Sequence, residues 1–213
     1  MQKQLESKIS SSKTWLAVLS LCLAIFLFMF YNVTYSGPML SLDVWVSQHV
    51  PSIQSPALTK VIIFITDLNG VFGSAVISAL FILFLLSKKS YKAVQFYLVS
   101  FLGASALFTV IKMLVDRARP ALKIVEEAGL SFPSGHSTMS MTVALLFYFI
   151  IVKNMLPSLG RTLLLLLCIL WPLMIVFTRI YLNVHWLTDT LAGLSLGLFW
   201  TILVYQMMVK RSF

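Results

Sequence analysis

The chain predicts an all-α integral membrane protein of six transmembrane helices, and two observations carry that reading. Of 213 residues, 59% are hydrophobic and only 11% are charged, against about 25% in an ordinary soluble domain. The ionisable residues also leave six uncharged stretches of 16–29 residues, each near the ~17–25 that a helix needs to cross the hydrocarbon core. So little charge excludes intrinsic disorder, and a water-soluble globule has no way to hide so much apolar surface.

The first stretch, Lys13 to Asp43, is most apolar from Trp15 to Tyr31 and predicts a span over residues 14–34. Its apolar core is longer than a secretory h-region and no small-x-small cleavage site follows, so it reads as a retained anchor. Next, Leu42, Trp45, Val46, His49 and Val50 predict a short amphipathic helix at the membrane interface. Gln48, Pro51, Gln54 and Pro56 are too many polar residues and breaks for a span. Leu58 to Ile65 then leads into the second span or lies at the interface itself. The remaining spans fall at 68–87, 92–114, 136–153, 161–179 and 188–209. None alternates as a strand does, and a segment in lipid must satisfy its backbone internally, which favours helices. Cys22 and Cys168 lie inside the first and fifth spans, as small apolar residues rather than a disulfide pair. With no repeat and no long linker, residues 1–213 form one domain.

Six spans put both termini on one side. Placing them inside gives Lys3, Lys8, Lys13, Lys88, Lys89, Lys92, Lys153, Arg161, Lys210 and Arg211 on the inner face, against the single acid Glu6. The positive-inside rule favours this orientation, with both termini cytoplasmic in a cell-membrane protein. The net charge of +9 is then mostly topological, and no nucleic-acid partner follows from it. The outer face keeps Lys60, Lys112, Arg117, Arg119, Lys123 and Arg179 together with the other six acids. Of these cations, Lys60, Arg117 and Lys123 have no evident task.

Three clusters converge on that outer face. Lys112 and Arg119 share one side if their helix runs on to Arg119, before Pro120 turns the chain. Pro133-Ser134-Gly135-His136 opens the fourth span, where a helix start leaves N–H groups free and its dipole favours an anion. Pro133 and Ser134 alone amount to a helix cap; His136 adds a titratable group beside it. Arg179 closes the fifth span, and beyond it His185 and Asp189 are four apart, so that on a helix the carboxylate holds one imidazole nitrogen and frees the other. Each cluster alone is ordinary: snorkelling cations, a cap, a polar pair. Together they suit phosphoryl transfer, in which cations stabilise the equatorial oxygens, one histidine attacks phosphorus and the other protonates the leaving oxygen.

These motifs, Lys112-x6-Arg119-Pro120, Pro133-Ser134-Gly135-His136 and Arg179-x5-His185-x3-Asp189, resemble the three signatures of the type 2 phosphatidic acid phosphatase (PAP2) superfamily in order and spacing across nearly the whole chain. The third opens with Thr178 where the family usually has Ser. The resemblance implies a membrane lipid phosphatase in which His185 is the nucleophile of a phospho-histidine intermediate, Asp189 orients it and His136 is the general acid. It makes Lys112, Arg119, Ser134, Gly135 and Arg179 phosphate ligands. It also implies no metal or other cofactor; beyond bilayer and substrate no obligatory protein partner is evident. Asp116, Glu126 and Glu127 form no evident cation cage; the 121–132 loop is expected to cover the site or meet the headgroup. Phosphatidylglycerophosphate, undecaprenyl diphosphate and phosphatidic acid are the implied substrates, with the site on the extracytoplasmic side. A lipid A phosphatase or phosphotransferase, a transporter of anionic lipids and a silent scaffold are the competing readings. A transporter needs a polar path through the bilayer, and the spans offer mainly isolated Ser, Thr and Asn.

Overall fold

A computed structural model describes residues 2–208, with side chains from Lys13 onward; the side chains of Lys3, Glu6, Lys8, Lys210 and Arg211 lie outside it. Among the described residues every regular element is helical. They are α1 (Gln2–Thr34), α2 (Met39–His49), α3 (Pro56–Leu68), α4 (Val71–Ser87), α5 (Tyr91–Val115), α6 (Gly135–Ile150), α7 (Leu159–Tyr181) and α8 (Leu187–Met208), with 3-10 turns at Val50–Ile53 and Val152–Asn154. Five helical stretches are each long and apolar enough to cross a membrane: Lys13–Thr34, Tyr91–Val115, Gly135–Asn154, Leu159–Tyr181 and Leu187–Met208. A sixth crossing arises only if α3 and α4, bent by 47°, are taken as one span. The protein is thus an all-helical, multi-pass integral membrane protein. Leu80, Leu102, Leu114, Leu163, Ile169 and Leu170 point outward, as lipid-facing residues should.

One span boundary shifts, and one expected helix shows its orientation. Residue 68 does not start the second span; it ends α3, and α4 begins at Val71. The break comes from Gly70, extended at φ −69°, ψ 178°, and from Asn69, whose side-chain amide leaves the helix to donate to the His136 carbonyl at 2.9 Å. The short helix after the first span does form, as α2, but its inward face is polar. Asp43 and Ser47 are buried while Leu42, Val44 and Trp45 are exposed. At a lipid interface the apolar face belongs outside, and polar side chains can be buried where they find partners.

The helices α6 and α8 sit at the centre, burying half of their apolar windows where α1, α5 and α7 bury 22% or less. Their contact depends on two glycines one turn apart. A Cβ on Gly193 would stand 2.5 Å from the Ser134 carbonyl, and one on Gly197 2.5 Å from that of Thr138. Small residues at such spacing let helix backbones approach in lipid. Gly193→Val is therefore expected to lose about 1–3 kcal/mol of stability, read as a lower unfolding temperature in detergent. Three of the hydroxyls buried on these helices turn to their own backbone, Thr138 to Ser134 (2.9 Å), Ser140 to Ser137 (3.0 Å) and Ser195 to Ala192 (2.9 Å), while those of Thr142 and Thr201 have no partner.

Candidate active site

One end of the bundle gathers the C-termini of α5 and α7, the N-termini of α6 and α8, and the 116–134 loop. The helix α5 stops at Val115 because Asp116 turns left-handed, at φ 50°, and its N–H caps the Lys112 carbonyl at 3.0 Å. The helix therefore ends one residue past the expected limit of the third span and does not run on to Arg119. Lys112 and Arg119 still come together, both lining a cavity of about 390 Å³, but through a loop rather than through helical spacing.

The loop after α7 carries His185, which is 3% exposed. Its Nδ1 lies 3.3 Å from Asp189 Oδ2, and its Nε2 lies 3.0 Å from Arg119 Nη1. A guanidinium only donates, so Nε2 must be the bare nitrogen and Nδ1 carries the proton toward Asp189. Burial, with the positive charges of Arg179 and Arg119, outweighs Asp189 and pushes the imidazole down to about pKa 4. The ring is therefore neutral, with a free lone pair, at pH 5 and above, and takes a proton as pH falls through about 4. In ¹⁵N-histidine-labelled protein the His185 ring is expected to hold its Nδ1–H tautomer down to about pH 5, where an ordinary histidine is already mostly charged.

Asp189 is fully buried, and its Oδ2 also accepts from Trp186 N at 2.9 Å and from Ser131 Oγ. Ser134 N donates to the Asp189 carbonyl at 3.0 Å, tying the start of α6 to that of α8. Ser134 is fully buried too, and its Oγ accepts from Ser137 N and Ser137 Oγ at 3.3 and 3.0 Å. It caps the helix and does not itself line the cavity. Gly135 and His136 do line it. Gly135 packs under the Phe108 ring, where a Cβ would meet carbon at 3.0 Å.

The three expected phosphate-binding cations are partnered by the loop. Lys112 Nζ donates to the Leu130 carbonyl at 2.6 Å. Arg119 donates to the carbonyls of Gly129 (3.0 Å), Ala128 (3.1 Å) and Val184 (2.8 Å). Arg179, 2% exposed, donates to Glu127 Oε2 at 2.6 Å and to Thr66 Oγ1 at 3.1 Å, leaving its Nε without a partner. The 121–132 loop thus covers the site. Burial raises the Glu127 carboxyl, but Arg179 and Arg119 outweigh that and hold it below the usual range, so it stands as an anion among the cations. Thr178 turns its hydroxyl to Thr66 and the Ile175 carbonyl, away from the cavity. The methyl that distinguishes it from Ser is buried there.

Sequence reasoning missed Glu127, Ser131, Arg117 and Asp43. Their partners lie 52–145 positions away along the chain, and no spacing rule connects them. Val71, Ala75, Phe101, Phe108 and Met139 from α4, α5 and α6, with Ser74 and Ser105 among them, also line the cavity, so a mainly apolar channel adjoins the cationic end. A larger cavity of about 550 Å³, deeper between α4 and α7, is lined by no charged residue and lacks this chemistry. Among the described residues no group of three or more His, Cys, Asp or Glu could hold a metal ion.

Comparison with known proteins gives the family and the fold. The family described as the PAP2 superfamily matches residues 93–213. Phosphatidylglycerophosphatase B of Bacillus subtilis (strain 168) is 29% identical over 198 residues, 87% of this chain and 95% of the relative. The crystal structure of a transmembrane PAP2-type phosphatidylglycerolphosphate phosphatase from Bacillus subtilis superposes with a TM-score of 0.77 at 24% identity, covering 89% of this chain and 96% of that one. Aquifex aeolicus LpxE gives 0.60 at 20% identity over 78% and 95% of the two chains. At these identities the two structures speak for the fold.

Proposed function

We propose, from the premise that this chain belongs to the PAP2 superfamily, that it is a membrane lipid phosphatase working through a phospho-histidine and without a metal ion. The observation that carries the reading is the His185 ring, with Nδ1 on Asp189 and a bare Nε2 beside Arg119 at the wall of a cationic cavity. In the first step Nε2 forms a bond to phosphorus while the bond to the lipid oxygen breaks, and His136 gives that oxygen a proton. In the second, His136 takes a proton from water, whose oxygen displaces Nε2 and releases phosphate. Lys112, Arg119 and Arg179 offset the charge on the equatorial oxygens. Ser134 fixes the start of α6, where Gly135 and the dipole favour an anion. To bind, a phosphate takes the place of Glu127 among these cations.

The cavity supports a lipid substrate rather than a soluble one. Val71 and Ala75, on its apolar side, are exposed on the outer surface of the bundle, so acyl chains reach the bilayer while the headgroup meets the cations. Similarity to the Bacillus subtilis enzyme over 95% of its length puts phosphatidylglycerophosphate first, before undecaprenyl diphosphate and phosphatidic acid. We place both termini in the cytoplasm and the site on the extracytoplasmic face, on the charge asymmetry alone. A transporter needs a polar path through the bilayer, and the hydroxyls buried in the central spans are isolated: Thr138, Ser140 and Ser195 bond to their own helices, and Thr142 and Thr201 have no partner.

A phosphate-release panel in liposomes tests the proposal, comparing these three lipids with a soluble phosphate ester and using His185→Gln as blank. The expected result is release from lipid phosphates in EDTA, with phosphatidylglycerophosphate turned over at the highest kcat/KM. A preference for the soluble ester, or loss of activity to chelator, overturns it.

A further inference from the structure

Arg117 looks idle in the sequence, yet its guanidinium bridges two buried carboxylates, Asp43 and Asp189. Its Nη1 donates to Asp189 Oδ1 at 2.6 Å and to Thr188 Oγ1 at 2.7 Å, and its Nη2 donates to Asp43 Oδ2 at 2.7 Å. Only 12% of the side chain is exposed, and the guanidinium stacks 5.2 Å from the Trp186 ring. Asp43, on α2 and 1% exposed, also accepts from Thr188 N at 2.9 Å and from Thr188 Oγ1 at 2.6 Å. One turn on, Ser47 Oγ donates to Asn183 Oδ1 at 2.8 Å, and Asn183 Nδ2 returns a bond to the Ser47 carbonyl at 2.9 Å. The polar face of α2 therefore grips both ends of the 183–188 segment that carries His185.

From this arrangement we infer that Arg117 and Asp43 are a positioning pair for the His185 nucleophile, an inference that rests on the function proposed above. A carboxylate has two oxygens, and only one can serve the imidazole. Arg117 takes Oδ1 of Asp189 and leaves Oδ2 to His185 Nδ1, Trp186 N and Ser131. A guanidinium facing one carboxylate prefers a two-pronged contact. Asp43 prevents that by holding the second prong, so the fork spans two carboxylates in one fixed plane. Without Asp43 the guanidinium is free to chelate both Asp189 oxygens and draw Oδ2 from the imidazole. Without Arg117, two buried carboxylates face each other across Thr188 with no cation between them, at a high cost. Neither residue lines the cavity; both act through Asp189.

The test uses full-length Asp43→Asn, Arg117→Lys and Arg117→Gln proteins in detergent. Asp43→Asn keeps the shape of Asp43, so it carries the test even where an Arg117 variant fails to fold. The expected result for Asp43→Asn and Arg117→Lys is a kcat at least ~10-fold lower on phosphatidylglycerophosphate, as slight misplacement of a reacting group gives. KM and vanadate affinity should stay within about twofold of wild type, as they do when only the reacting group is misplaced, and ¹⁵N spectra should show the His185 ring shifting away from a pure Nδ1–H tautomer. The Asp43→Asn/Arg117→Gln double variant should lose little more than the worse single one. Folded variants with unchanged kcat and an unchanged ring tautomer overturn the inference; so does a loss confined to KM and vanadate affinity, which makes Arg117 a phosphate ligand instead. If wild type turns over no lipid phosphate, the function reading fails, and the ring tautomer still decides the positioning claim.

Discussion

His185→Gln is expected to cut lipid-phosphate turnover by at least about 10⁴-fold, the scale seen when a covalent catalyst loses its nucleophile. Glutamine keeps a polar group of similar reach beside Asp189 and Arg119, so the buried carboxylate retains a donor and the fold should survive. It cannot form the bond to phosphorus. Unfolding temperature and vanadate binding, measured on the same preparation, should stay near wild type because Lys112, Arg119 and Arg179 remain. Retained turnover would mean that water attacks phosphorus directly and that the Asp189–His185 dyad serves only structure.

His136→Gln should cost roughly 10²–10⁴-fold, the usual worth of a positioned general acid, and the loss should depend on the leaving group. A lipid alkoxide leaves poorly without a proton, whereas p-nitrophenolate needs none. The variant is therefore expected to lose most of its activity on phosphatidylglycerophosphate and much less on p-nitrophenyl phosphate. His185→Gln should lose both equally. The contrast separates attack from protonation, two roles that a single substrate cannot distinguish. An equal loss on both substrates would remove His136 from the proton path and leave it a wall of the cavity.

The membrane fold was legible from the charge gaps because lipid makes one demand of every span, a run of uncharged residues with its backbone satisfied internally. What the gaps could not show was a break inside a run. Gly70 and Asn69 end α3 between apolar neighbours, and the cause is a bond from Asn69 to His136, 67 positions away. The side chains of the candidate site stood out in the sequence for a different reason. Gly135 and His136 line the cavity at adjacent positions, and His185 and Asp189 are four apart, so local spacing brings them close in sequence. Lys112 and Arg119 line one cavity without sharing a helix, since the left-handed turn at Asp116 ends α5 before Arg119. Glu127, Ser131, Arg117 and Asp43 stayed hidden because each acts through a partner far along the chain. Charge alone hinted at Arg117, a cation on the outer face that nothing nearby accounted for.

The account stands most directly on one covalent bond, between phosphorus and His185 Nε2. Rapid alkaline quenching of the enzyme with ³²P-labelled phosphatidylglycerophosphate, followed by peptide mapping, measures it. Acid-labile, alkali-stable label is expected on the peptide carrying His185, formed in EDTA and absent from His185→Gln. Turnover without any labelled histidine, or label on another residue, would contradict it.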